Sequence, residues 1–241
     1  MESLLYKFRK NEVRKMSLDG KSLRKKSEMI YERIKEDIQK GKYLPGQRLA
    51  EEYLAKEYNA SRNTIRVALA RLEKDGLVTK TTSGTIVSFV DANEALQILE
   101  IREILEGYLT RLAARKIKEK ELENLERILN EMREVIEKKE YYKYSQLNED
   151  FHNIIYEASG NKVGIELIKS LKLRIIRLQY LTALLPGRAN ASIMEHEQIL
   201  NALRNHNEDE AERAARLHVA NVREVIKNNI ILFNLKSELN Y

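Results

Sequence analysis

The chain has 241 residues, 43% apolar and 33% charged, with 9 glycines and 2 prolines; this suits one large or two modest folded, helix-rich domains rather than a disordered chain. It contains no cysteine, which removes disulfides and thiolate metal sites. The net charge of +6 is unevenly spread, because residues 1–90 hold 20 Lys+Arg against 12 Asp+Glu, an excess of +8, and the remainder carries −2. A basic module joined to a nearly neutral one points to a polyanion at one end only, with nucleic acid ahead of a membrane surface. No apolar run reaches the roughly 18 residues needed to span a bilayer, and the opening MESLLYKFRKNEVRK lacks the apolar core of a secretory signal. The expectation is a cytoplasmic protein with no membrane partner.

Residues 1–26 show no sustained period and end in Arg24, Lys25 and Lys26, so they read as a basic N-terminal arm. Ile30, Ile34 and Ile38 then recur every fourth residue and predict an amphipathic helix over 27–40. Gly41 and the turn Leu44-Pro45-Gly46 close it. A second helix is predicted over 50–58, with Leu54 and Tyr58 inward and Asn59 in the left-handed position where helices often end. Ser61 has the hydroxyl of an N-cap. The helix it opens carries Ile65, Leu69 and Leu72 on one face and finishes near Asp75-Gly76. Short β-branched runs over 77–80 and 85–90, around Thr81-Thr82-Ser83-Gly84, predict a hairpin. Three helices followed by a hairpin make a winged helix-turn-helix over 27–90.

From Asp91 onward the strand signal ends. Ile98, Ile101, Leu105 and Leu112 stripe one helix, and Leu122, Leu125, Leu129 and Met132 stripe the next. Further helices are predicted over 139–158, 163–184, 189–204 and 209–233, separated by Gly160-Asn161, Pro186-Gly187 and Asn205 to Glu208. The fold class is mainly α: an N-terminal winged helix-turn-helix followed by an all-α bundle of six or seven helices over 91–241.

In a helix-turn-helix unit the first turn of the last helix enters the major groove. Here that turn presents Arg62, Asn63, Thr64 and Arg66. Arg62 and Arg66, four apart, share a face turned away from the apolar stripe, and an arginine fork suits guanine or phosphate. The Ser61 and Thr64 hydroxyls can hold the backbone, and the wing tip Thr82-Ser83-Gly84 is small enough to lie against a neighbouring groove. The alternative is that both arginines merely solvate an ordinary helix.

All four histidines lie in the second part: His152, His196, His206 and His218. His152 follows Asn148 by one turn, His196 sits within Glu195-His196-Glu197, and His218 lies on the last helix. Three imidazoles from three helices can converge in a bundle interior, where bundles build metal sites. Isolated, hydrogen-bonded packing residues are the alternative reading. His206, among polar residues in a turn, reads as exposed.

The segment IQKGKYLPGQRLAEEYLAKEYNASRNTIRVALARLEKDGLVTKTTSGTIV closely resembles the DNA-binding domain of GntR-type bacterial transcription regulators. Matching residues include Pro45, Gly46, Leu49, Leu54, Ala55, Ser61, Arg62, Ile65, Arg66, Ala68, Leu69, Leu72, Gly76 and Leu77. The resemblance implies DNA contacts from Arg62, Thr64, Arg66 and the wing tip. Two positions depart from the pattern: Glu52 stands where many members have arginine, and Asn59 where glycine is common. Residues from about Asn93 to Val225 resemble the FCD ligand-binding domain of the FadR subfamily, through IREILEGYLTRLAAR, LNEDFHNIIYEASGN, EHEQILNAL and EDEAERAARLHV. That likeness implies a divalent transition metal, zinc or nickel, held by Asn148, His152, His196 and His218. It also implies that Arg102 grips an effector carboxylate.

Asn148 and three neutral imidazoles leave the double charge of such an ion uncompensated, which favours an anionic effector. The combined expectation is a dimeric transcription regulator that binds a palindromic operator in double-stranded DNA under the control of a small organic acid. A metal-dependent hydrolase with a nucleic-acid-binding head, and an architectural DNA-binding protein without an effector, are the alternatives. Against the hydrolase, no general base stands in a motif such as H-E-x-x-H.

Overall fold

The buried stripe of Ile30, Ile34 and Ile38, none more than 3% exposed, marks the first helix, α1 (24–40), in a computed structural model that describes residues 24–230. Most of the expected basic arm lies outside the described residues; its last three, Arg24 to Lys26, are helical. Gly46 takes the left-handed conformation (φ 79°) at the turn that follows α1. Next come α2 (Glu51–Glu57) and α3 (Arg62–Lys74), with Asn59 between them at φ 47°. The core of this unit is where α1, α2 and α3 meet, with Leu54, Ile65 and Leu72 each fully buried. Two tyrosines tie distant segments across it: Tyr31 donates to Asp75 at 2.7 Å, and Tyr58 donates to Asp37 at 2.5 Å.

The wing consists of β1 (Val78–Thr81) and β2 (Gly84–Val87), antiparallel, with Val78 opposite Val87 and Thr81 opposite Gly84. The second strand is shorter than its β-branched run suggests. Beyond Val87 the only ladder bond is Ser88 N–H to the Leu77 carbonyl, because β1 supplies no further partner. A third segment completes the sheet edge: Arg48 bridges Ile86, the Leu49 amide donates to the Thr85 carbonyl, and Val87 donates to Gln47. Periodicity gave no sign of this pairing.

The chain divides into two compact units between Ser88 and Phe89. In the second, the Asp91 side chain caps the first helix, α4 (Ala92–Ala114), by accepting from the Glu94 amide. The unit continues through α5 (Glu119–Glu137), α6 (Tyr141–Ser159), α7 (Lys162–Arg174), α8 (Ile176–Ala183), α9 (Arg188–Arg204) and α10 (Glu208–Asn228). The helix expected over 163–184 is therefore two, broken at Ile175. Ile175 is 1% exposed in a cluster with Ala95, Leu99 and Val219, so burial of one β-branched side chain accompanies a break that no proline or glycine announces. The part of the last predicted helix beyond residue 230 lies outside the described residues. Among the described residues no helix is long and apolar enough to cross a membrane.

The central pairing is α4 against α10, with α5 and α6 closing one side and α9 packed on both α5 and α10. Gly107 lets the Arg216 side chain of α10 lie against α4: a first side-chain carbon there would come within 2.5 Å of Arg216 Cγ. Gly107→Val is expected to destabilise the protein by about 2 kcal/mol through overpacking, read as a lower urea midpoint at unchanged m value.

Candidate DNA-reading surface and metal centre

Ser61 caps α3 by accepting from the Thr64 amide at 3.1 Å, and its hydroxyl lies 2.8 Å from that of Thr64. Thr64 is only 2% exposed, so the structure places it beneath the helix start while Arg62, Asn63 and Arg66 face outward. Both arginines are paired with α2. Arg62 lies 3.2 Å from Glu52, and Arg66 donates twice to Glu51, at 3.2 and 2.9 Å. The bond from Arg66 is the main reason that the Glu51 carboxyl is held below its usual range. Glu52 thus neutralises the residue expected to read bases. At the wing, Thr82 and Ser83 are exposed and Gly84 is half-buried at φ 121°. A first side-chain carbon at Gly84 would meet the Arg48 guanidinium at 3.2 Å, so the turn before α2 adds an exposed cation beside the wing tip.

In the helical unit α6, α9 and α10 bring His152, His196 and His218 together, at 4%, 0% and 5% exposure. One ring nitrogen from each lies within 4.8 Å of the others. The rings touch pairwise, with centroids 4.7 to 5.2 Å apart. Burial is the main cause that holds the pKa values of His152 and His196 well below the usual range, which favours the neutral form that metal ligands take. His196 is the telling member. Neither of its nitrogens has a hydrogen-bond partner, an arrangement that leaves buried polar atoms unsatisfied unless something fills the space between the rings. Asn148 lies one turn before His152, half-buried on α6. His206 is exposed after α9 and is not part of the cluster.

Glu195 orients this centre from behind. His218 Nδ1 lies 2.7 Å from its carboxylate, which leaves Nε2 for the interior. Arg188 grips the same carboxylate with two bonds, at 3.0 and 2.8 Å, and Asn221 donates to it at 2.8 Å. Burial alone would raise the Glu195 pKa, but the bonds from His218 and Arg188 outweigh it and hold it at about 2. Glu195→Gln is expected to weaken metal binding about 10–100-fold by loosening His218. It should also cost ~3 kcal/mol of stability by leaving buried Arg188 without its counter-charge, checked by metal titration and urea unfolding.

A second set of buried charges lies beside His152. Arg102, 4% exposed, contacts Glu106 through Nε at 2.8 Å and Nη2 at 2.7 Å. With the Gln179 amide oxygen turned toward it, Nη1 and Nη2 donate there at 2.6 and 3.2 Å. Glu106 also accepts from Tyr156 at 2.7 Å and lies 3.8 Å from His152. Burial opposes its ionisation, yet Arg102, Lys172 and Tyr156 hold its pKa below the usual range.

Two family models account for this arrangement: "Bacterial regulatory proteins, gntR family" matches residues 26–87, and "FCD domain" matches residues 97–221, half of the chain by itself. The chain belongs to the GntR family of bacterial regulators and carries an FCD domain. This GntR protein is 25% identical over 202 residues to the HTH-type transcriptional repressor RspR of Escherichia coli K12, across 83% of this chain and 89% of that one. It is 29% identical over 191 residues to the HTH-type transcriptional regulator YdhC of Bacillus subtilis 168, across 78% of this chain and 85% of that one. Among solved structures, Escherichia coli McbR/YncC superposes with a TM-score of 0.72 at 22% identity, across 88% of this chain and 98% of that one, which speaks to the fold alone. The GntR protein is accordingly a DNA-binding transcription regulator and not an enzyme, which sets aside the hydrolase alternative.

Sequence reasoning passed over several residues of the GntR protein's two sites. Glu106 was visible as an acid four residues after Arg102, and Glu195 as the neighbour of His196. Neither spacing says that the carboxylate is buried against a histidine. Lys172 and Arg48 left no signal at all.

Proposed function

We propose that this regulator binds a palindromic operator as a homodimer and that a small carboxylate, bound at a divalent metal in the helical unit, controls its grip on DNA. The observation that carries the effector half is His196, fully buried between two other imidazoles with both nitrogens unpartnered. His152, His196 and His218, with Asn148 as a fourth donor, would hold zinc or nickel, whose nitrogen-ligand chemistry they match. Such an ion supplies positive charge and open coordination positions to an anionic oxygen. Arg102 contributes by sharing with the effector carboxylate the bonds it otherwise gives Gln179. On the DNA side Arg62, Asn63 and Arg66 reach base edges and phosphates. Ser61 and Thr64 fix the start of the helix, and Thr82, Ser83 and Gly84 follow the adjacent groove.

Dimerisation follows from reading two half-sites by symmetry. The stripe Ile101, Ile104 and Tyr108 on α4, between 47% and 59% exposed, offers a second copy an apolar face. An effector acts only through different affinities for the DNA-competent and incompetent states. The test is operator binding by the zinc-loaded and the chelated protein, using an operator selected from random duplexes, over a titration of small carboxylic acids. An acid that shifts operator affinity only when metal is present supports the reading. Indifference to acid and metal alike overturns it.

A further inference from the structure

Lys172 lies in the last turn of α7, which packs on α4 and α6. Its Nζ is buried and has no hydrogen-bond partner. It faces the ring of Tyr156, with Nζ 5.2 Å from the centroid. Two carboxylates act on it across space, Glu106 and the exposed Glu149, but neither bonds it, and Glu106 is already engaged by Arg102 on one oxygen and by Tyr156 on the other. A buried ammonium without an acceptor is costly. Burial pushes its pKa down to about 8, so most of it still carries a proton at neutral pH.

The position of Lys172 relates it to the histidine cluster. Tyr156, whose ring it faces, stacks on His152 with centroids 5.9 Å apart and planes 23° from parallel. The interior therefore has two separate demands for negative charge. One is at the imidazoles, if they hold a divalent ion; the other is at Lys172. Glu195 does not meet the second, because its charge is already balanced by Arg188.

We infer that the effector carries two anionic groups, one for the metal held by the histidines and a second for Lys172, so that the ligand class is a small dicarboxylic acid. This rests on the metal-and-carboxylate reading above and narrows it. A monocarboxylate satisfies only the metal and leaves Lys172 unpaired. A second carboxylate gives Nζ a charge-assisted acceptor in a water-poor site, where such bonds are strongest.

Matched acids separate the two ideas. Malate and lactate share the 2-hydroxycarboxylate that chelates a metal, and differ in the distal carboxylate; 2-hydroxyglutarate and 2-hydroxybutyrate form a second pair with a longer arm. Calorimetric titration of the zinc-loaded full-length protein is expected to show about tenfold or greater preference for the diacid in at least one pair. In Lys172→Met that preference should shrink to within about twofold, the loss falling mainly on the diacid, with zinc still bound by elemental analysis. Equal affinity for diacid and monoacid in both pairs overturns the inference while leaving the metal reading intact, because zinc-dependent monoacid binding still supports that. A preference that survives in Lys172→Met also overturns it, since the second carboxylate must then bind elsewhere. The wild-type comparison stands even if the variant fails to fold. Absence of binding by every acid removes the effector reading and this inference together.

Discussion

Replacing His196 by leucine is expected to abolish stoichiometric zinc binding and, at the same time, to stabilise the chelated protein. The two effects have opposite signs because one residue does two things. If the site takes a metal as proposed, three imidazoles would hold the ion, and loading at about 1,000 times its Kd would stabilise the fold by about 4 kcal/mol. Without it, His196 is 0% exposed with both nitrogens unsatisfied, a cost of about 1–3 kcal/mol that leucine, of similar volume, does not incur. The chelated variant should therefore unfold at a higher urea concentration than the chelated parent, and added zinc should raise the midpoint of the parent alone. A histidine kept only for packing predicts no zinc response in either.

The same site sets an acid limit. Burial lowers the pKa values of both His152 and His196 well below their usual value. The unfolded chain takes up these protons near pH 6.5 and the folded chain resists, so stability falls as pH falls. Two such groups predict a loss of ~2–3 kcal/mol between pH 7.5 and 5.5 in the chelated protein. His196→Leu should halve it. Urea unfolding at the two pH values is the measurement, and a pH-independent midpoint would falsify the buried neutral state.

The second large effect concerns DNA. Arg62→Ala is expected to cost about 1–3 kcal/mol in operator affinity and to relax the choice of base at one position per half-site. Glu52→Gln should do the reverse and raise affinity several-fold. The Arg62–Glu52 pair is 64% and 63% exposed on its two sides, where an ion pair contributes little. Arg62 therefore leaves it readily, but the carboxylate stays beside the phosphates and repels them. Fluorescence anisotropy across a salt series separates the two variants, since loss of a phosphate contact also flattens the salt dependence. An Arg62→Ala protein that binds its operator as the parent does would show that this face of α3 only solvates the helix.

What was legible in the sequence was local. The four-residue spacing of Ile30, Ile34 and Ile38, the hydroxyl of Ser61, and the hairpin residues around Ser83 each act within one or two turns of backbone. Side-chain size, capping and turn chemistry therefore announce them directly. The candidacy of the three histidines was legible too, as residue types on separate helices. Their meeting was not, because it depends on how α6, α9 and α10 pack, and the residues are 22 to 66 positions apart.

The same holds for the third strand segment at Arg48, for the break at Ile175 and for the inward turn of Thr64. Each is decided by what a distant segment leaves unpaired or unburied. Charge followed this division: the basic excess of the first 90 residues could be summed from the chain. Which charges are cancelled, as Arg188 is by Glu195, and which are buried without a hydrogen-bond partner, as Lys172 is, became visible only once desolvation and distance were set by the packed bundle.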